Sequence, residues 1–155
     1  MLFIGLKLIH LFSIIVWVGG MIFAHVCLRP AVAQLEPPLR LRLMQDVLSR
    51  FFNAVLWASC LTIASGLGLV ALTSITVKQL GGTFQMPLNW TVMATIGLAM
   101  LAIFLHIRFV MFKRLTQAVA QQQWANGAAA MNAIRQLVST NLLLGIITVI
   151  VALLT

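Results

Sequence analysis

Residues 2–28 read LFIGLKLIHLFSIIVWVGGMIFAHVCL, an apolar run whose one lysine or arginine is Lys7. A helix needs roughly 20 such residues to cross a bilayer. The stretch is long enough to span, and the part from Leu8 to Leu28 is too long for a signal-peptide core. Ala31-Val32-Ala33 offers a small-residue cleavage pattern, but the charged start before it is a lone lysine. The run therefore reads as a retained membrane span, closed by Arg29 and Pro30.

Three similar stretches follow. Glu36-Pro37-Pro38 is a hard break, and Leu39 to Arg50 then alternates apolar with charged residues as an amphipathic lead. The second span covers residues 51–75, uncharged until Lys78. Gly81-Gly82 and Pro87 mark a loop. The third span covers residues 88–112; Lys113-Arg114 ends its apolar part, and the helix can continue from there into water. Asn126-Gly127 reads as a turn before a fourth span at residues 132–155, with Arg135 near its boundary. The chain, residues 1–155, is thus expected to be one all-α domain. Its short connections predict an up-down bundle of four transmembrane helices.

Composition excludes a water-soluble domain. Charged residues make up 8% of the chain and mean hydropathy is +1.08, whereas a soluble domain is about 25% charged. The net charge of +8 comes from ten Lys and Arg against two acids, Glu36 and Asp46. Arg29, Arg40, Arg42, Arg50, Arg108, Lys113, Arg114 and Arg135 flank the first and third connections, and Lys7 and Lys78 lie on the other side. This split reads as topology, not nucleic-acid binding, because no dense basic run with interleaved aromatics is present. It places the first and third connections in the cytoplasm. Both termini are then periplasmic, if the membrane is a bacterial inner membrane. Cys27 and Cys60 fall at different depths, which argues against a disulfide.

Ionisable groups inside a membrane need a reason. His10, His25, His106 and Arg135 are the candidates, with Asn141 as an uncharged group that also needs a partner. At about 100° per residue, His10, Trp17, Met21 and His25 share a stripe roughly 80° wide on the first helix. Gly19 and Gly20 beside it permit close helix approach. The ordinary role of such histidines is a hydrogen bond to a backbone carbonyl. His25 and His106 also stand within about one turn (~5 Å) of equal depth on helices running the same way, as a shared metal or haem requires. His10 lies about 22 Å away along its helix.

Met21 and His25 are neighbours on one face, with Cys27 nearby, and such donors suit copper; methionines also simply fill gaps in cores. Thr95, Ala99 and Ala102, on the face of His106, fit either helix packing or a flat cofactor. Arg29, Arg40, Arg42, Arg50 and Arg108 satisfy the topology rule and can also pair with haem propionates or lipid phosphates. Asn141 sits about 9 Å deeper than Arg135. It is expected to face the bundle and bond another helix or a ligand, with Arg135 holding an anion at the cytoplasmic mouth. No phosphate-binding glycine loop, CxxC pair or nucleophile–base set is present, and enzymatic activity stays open.

The segments Lys7-Leu8-Ile9-His10, Trp17-Val18-Gly19-Gly20-Met21 and Phe23-Ala24-His25-Val26-Cys27-Leu28-Arg29-Pro30 resemble the first helix of small CopD (copper resistance protein D) proteins. Phe104-Leu105-His106, and Arg135 with Asn141, are similar to that family's third and fourth helices. A more distant similarity runs to HemJ-type membrane haem proteins. Several small CopD members carry histidine near the start of the third helix, where this chain has Met86-Pro87-Leu88-Asn89. The resemblance implies an inner-membrane protein of copper transport or tolerance.

Two site readings follow. In one, copper binds between the first and third helices through His25 and His106, with Met21 auxiliary and His10 a second, outward point. In the other, the same two histidines are axial ligands of a b-type haem that moves electrons, with arginines on the propionates. A structural subunit without cofactor is the third class, and a homo-oligomer or a redox partner is compatible with each. The charge split gives a direct test of orientation: a reporter fused after Thr155 is expected to be active only outside the cytoplasm. Cytoplasmic activity there reverses the topology.

Overall fold

Backbone in lipid has to satisfy its hydrogen bonds within one segment, so each apolar run sits inside an unbroken helix. In the computed structural model, which describes residues 1–154, these helices are α1 (Leu2–Val32), α2 (Pro37–Gln79), α3 (Leu88–Ala120) and α4 (Trp124–Leu153). All four are long and apolar enough to cross a membrane. The chain is an all-α, multi-pass membrane protein with an up-down helix order.

Two helix ends differ from the sequence reading. Pro30 does not close α1, which runs on to Val32. The ring of a proline clashes with the carbonyl four residues back. Here a wide π-turn at Ala24–Leu28 opens the preceding coil and relieves that crowding. The amphipathic lead runs into the second span as expected, as the start of α2, a 43-residue helix about 64 Å long. Asn126-Gly127 is not a turn but lies within the first turn of α4. The chain reverses just before it, at Gln122 with φ 56°, where the Gln123 N–H donates to the Ala118 carbonyl at 2.9 Å. Gly127 instead serves packing: a Cβ there would stand 3.1 Å from the Leu41 side chain. The Gly81-Gly82 loop does form as expected, with Gly81 at φ 80° and the Gly82 N–H bonded to the Val77 carbonyl.

The core has two storeys. Within the membrane it holds Trp17, Met21, Phe52, Val55, Met100, Phe104 and Val138. Phe104 takes Trp17 and Phe52 edge-on, at centroid distances of 6.0 and 6.1 Å. On the basic side, α2, α3 and α4 continue together beyond the lipid around Leu41, Leu48, Phe112, Leu115 and Ile134. There the Arg42 guanidinium lies 5.5 Å over the Trp124 ring.

Helix α1 packs on α2 and α4, α3 packs on the same two, and α2 meets α4 across the bundle. Helices α1 and α3 therefore occupy the far corners, reaching each other through the Trp17 and Phe104 rings. Close contact of α1 with α2 depends on small residues. A Cβ on Gly20 would collide with the Phe51 ring, and one on Gly66 would stand 3.2 Å from the His10 ring.

Candidate functional site

The four residues of the α1 stripe share the inward side but serve different neighbours. Trp17 and Met21 point to the centre, 5% and 2% exposed. His10 turns to α2, where its Nδ1–H donates to the Thr62 carbonyl at 2.9 Å, with the Ser65 hydroxyl at 3.1 Å. His25, inside the π-turn, turns to α4. Its Nδ1–H donates to the Met21 carbonyl at 3.1 Å, and its Nε2 lies 2.8 Å from the Ser139 hydroxyl.

Both rings thus spend Nδ1–H on a backbone carbonyl, which can only accept. Each ring then presents the lone pair of Nε2, the arrangement of a metal-ligating histidine held by its outer hydrogen bond. The Nε2 of His10 has no hydrogen-bond partner among the described residues. That of His25 accepts from Ser139, whose hydroxyl has an alternative acceptor in the Arg135 carbonyl at 2.9 Å. The hydroxyl can therefore leave His25 without losing a hydrogen bond.

Asn141 is the anomaly of the site. It is 1% exposed, and neither its amide nitrogen nor its oxygen has a partner. The expectation that it faces the bundle is met; the expectation that it bonds another helix is not. Its depth is fixed by two contacts between α1 and α4. His25 meets Ser139, and one helix stretch further out a Cβ on Gly145 would stand 3.0 Å from Val18. Met21 and Asn141 fall at matching depth between these contacts. Met21 and the orphaned Asn141 amide thus share one depth, while Ser139, two residues and about 200° around α4 from Asn141, holds the His25 ring at the flank of that helix.

The expected pairing of His25 with His106 is not assembled. His106 is exposed and makes no hydrogen bond among the described residues. It follows Phe104 by two residues, about 200° around the helix, so Phe104 takes the core and His106 the outside. Matched depth was readable from residue count, but the far-corner placement of α1 and α3 was not. Thr95, Ala99 and Ala102 are exposed with His106, so they pack on no helix of this chain.

Among the arginines, Arg29 is exposed and Arg135 is half-buried with its guanidinium unbonded among the described residues. Arg108 donates from Nη2 to the Asn53 amide oxygen at 3.0 Å. Cys27 and Cys60 are free and exposed. No three His, Cys, Asp or Glu side chains form a metal-binding group among the described residues. Sequence reading missed Ser139, Thr62 and Ser65. For Ser139 a signal exists: Ser139-Thr140-Asn141 is a polar cluster inside an otherwise apolar span.

The family profile described as Copper resistance protein D matches residues 45–155. The chain belongs to the CopD family. The matched part runs from α2 through α4 and holds Ser139 and Asn141, while His10, Met21 and His25 precede it. No curated protein and no solved structure is similar to the chain.

In this CopD-family protein, Asn141 lowers the stability of the bundle, since a buried amide without partners costs about 1–3 kcal/mol. Asn141→Leu is therefore expected to raise the thermal midpoint of the detergent-purified, metal-free protein. A lowered midpoint means that the amide is satisfied and structural.

Proposed function

We propose that the protein handles copper ions as cargo in the bacterial inner membrane, taking the ion at the seam between α1 and α4. The His25 Nε2 and the Met21 thioether are the donors, and the Asn141 amide oxygen completes the set. His10, held the same way about 22 Å further out, is a second point on the path. The observation that carries this reading is Asn141, a wholly buried amide with no hydrogen-bond partner on either side-chain atom.

Thioether and imidazole together favour copper(I) over the harder divalent ions. The copper link of the CopD family points the same way. As the ion arrives, the Ser139 hydroxyl turns from His25 to the Arg135 carbonyl. Arg135 itself, at the same edge, offers its guanidinium to an anion at the cytoplasmic mouth. His106 takes no part in this site, which separates it from a b-type haem with His25 and His106 as axial ligands.

The test is copper content and colour of the purified protein, loaded under reducing conditions. The wild type and His106→Ala are expected to retain about one copper per chain. His25→Ala, Met21→Leu and Asn141→Leu are expected to lose most of it. Full retention by His25→Ala and Asn141→Leu overturns the seam. A red protein whose haem band disappears in His106→Ala establishes the haem reading instead.

A further inference from the structure

Arg108 stands apart from the copper seam, where α3 meets α2 on the basic side of the membrane. It lies in another π-turn, Ile107–Met111, a feature that often accompanies functional positions. A guanidinium stays charged and carries five N–H donors. Of these, one on Nη2 reaches the Asn53 amide oxygen, a neutral acceptor. The Nε is buried with no partner. The charge lies 5.8 Å over the Phe109 ring and 5.5 Å over the Phe112 ring. None of these partners is an acid. A half-buried cation without an anion is costly, and cation–π contacts offset only part of that.

The surroundings indicate which anion is missing. On α2, Arg50, Asn53 and Trp57 lie within an arc of about 60° and span about 10 Å of depth. All three are exposed, Trp57 at 72%. On α3, Phe109 is 57% exposed beside Arg108. The order along the membrane normal is cation, amide and cation, then aromatic. That is the order of a phospholipid's headgroup and upper acyl chains, with tryptophan at the level where it favours the interface.

We propose that the groove between α2 and α3 binds the phosphate headgroup of an anionic phospholipid, with Arg108 as its main ligand. Arg50 supplies a second positive charge, Asn53 holds the Arg108 guanidinium in place, and Trp57 and Phe109 flank the acyl chains. A forked guanidinium suits phosphate oxygens better than a lysine ammonium does.

Native mass spectrometry of the detergent-purified protein, titrated with phosphatidylglycerol or phosphatidylcholine, tests this. The wild type is expected to retain the anionic lipid in preference to the zwitterionic one. Arg108→Gln is expected to weaken phosphatidylglycerol retention roughly fivefold or more, with a smaller loss for Arg108→Lys. Arg114→Gln, exposed elsewhere on the basic side, is expected to keep wild-type retention. If Arg108→Gln does not fold, Arg50→Gln decides the matter by the same loss. Equal retention of both lipids by the wild type, or undiminished retention by the folded variants, overturns the proposal. Displacement of the lipid by millimolar inorganic phosphate also overturns it, because the occupant is then free phosphate.

Discussion

A bilayer interior offers no water to complete a hydrogen bond, and that constraint organises this molecule. The backbone meets it with four helices. Most polar side chains meet it locally: Ser13, Ser59, Thr62, Ser65, Thr73 and Thr148 each donate to a carbonyl three or four residues back on their own helix. His10 and His25 meet it by giving Nδ1–H to a carbonyl, which leaves Nε2 available. Asn141 does not meet it at all. Among the described residues, the Arg108 Nε and the Asn141 amide are the buried side-chain groups left without a hydrogen-bond partner.

The geometry of the bundle decides which residues can share a ligand. Because α2 and α4 meet across the middle, α1 packs along two flanks and reaches α3 through the Trp17 and Phe104 rings. His10 goes to one flank and His25 to the other, while Trp17 and Met21 fill the centre between them. The inward side of α1 therefore serves both neighbours in turn, and the deep polar group opposite Met21 comes from α4. Gly20, Gly66 and Gly145 keep this packing tight, since each has a side chain of another helix where its own Cβ would stand.

Much of this was legible in residues 2–28 and their three counterparts. Apolar length gives the spans, and the short connections give their up-down order. Helix ends were less legible, because hydropathy records contact with lipid, not helical backbone. Residues 37–50 and 113–120 are helical yet polar outward, burying Leu41, Leu48 and Leu115 against one another's helices. Gly127 carries the same letter whether it turns the chain or admits Leu41. For the site, spacing along each helix was readable at 1.5 Å per residue, and the burial of Asn141 agrees with its expected place facing the bundle. Rotation and adjacency were not readable, since the π-turns shift the helical phase and no pattern in the sequence says which helices occupy the far corners.

The central claim is that Met21 and His25 act on one ion. Copper-edge X-ray absorption of the protein loaded with copper(I) tests it most directly. The account predicts a mixed shell, with a sulfur scatterer that disappears in Met21→Leu and imidazole scattering that weakens in His25→Ala. A shell of nitrogen and oxygen alone, unchanged by Met21→Leu, would contradict it.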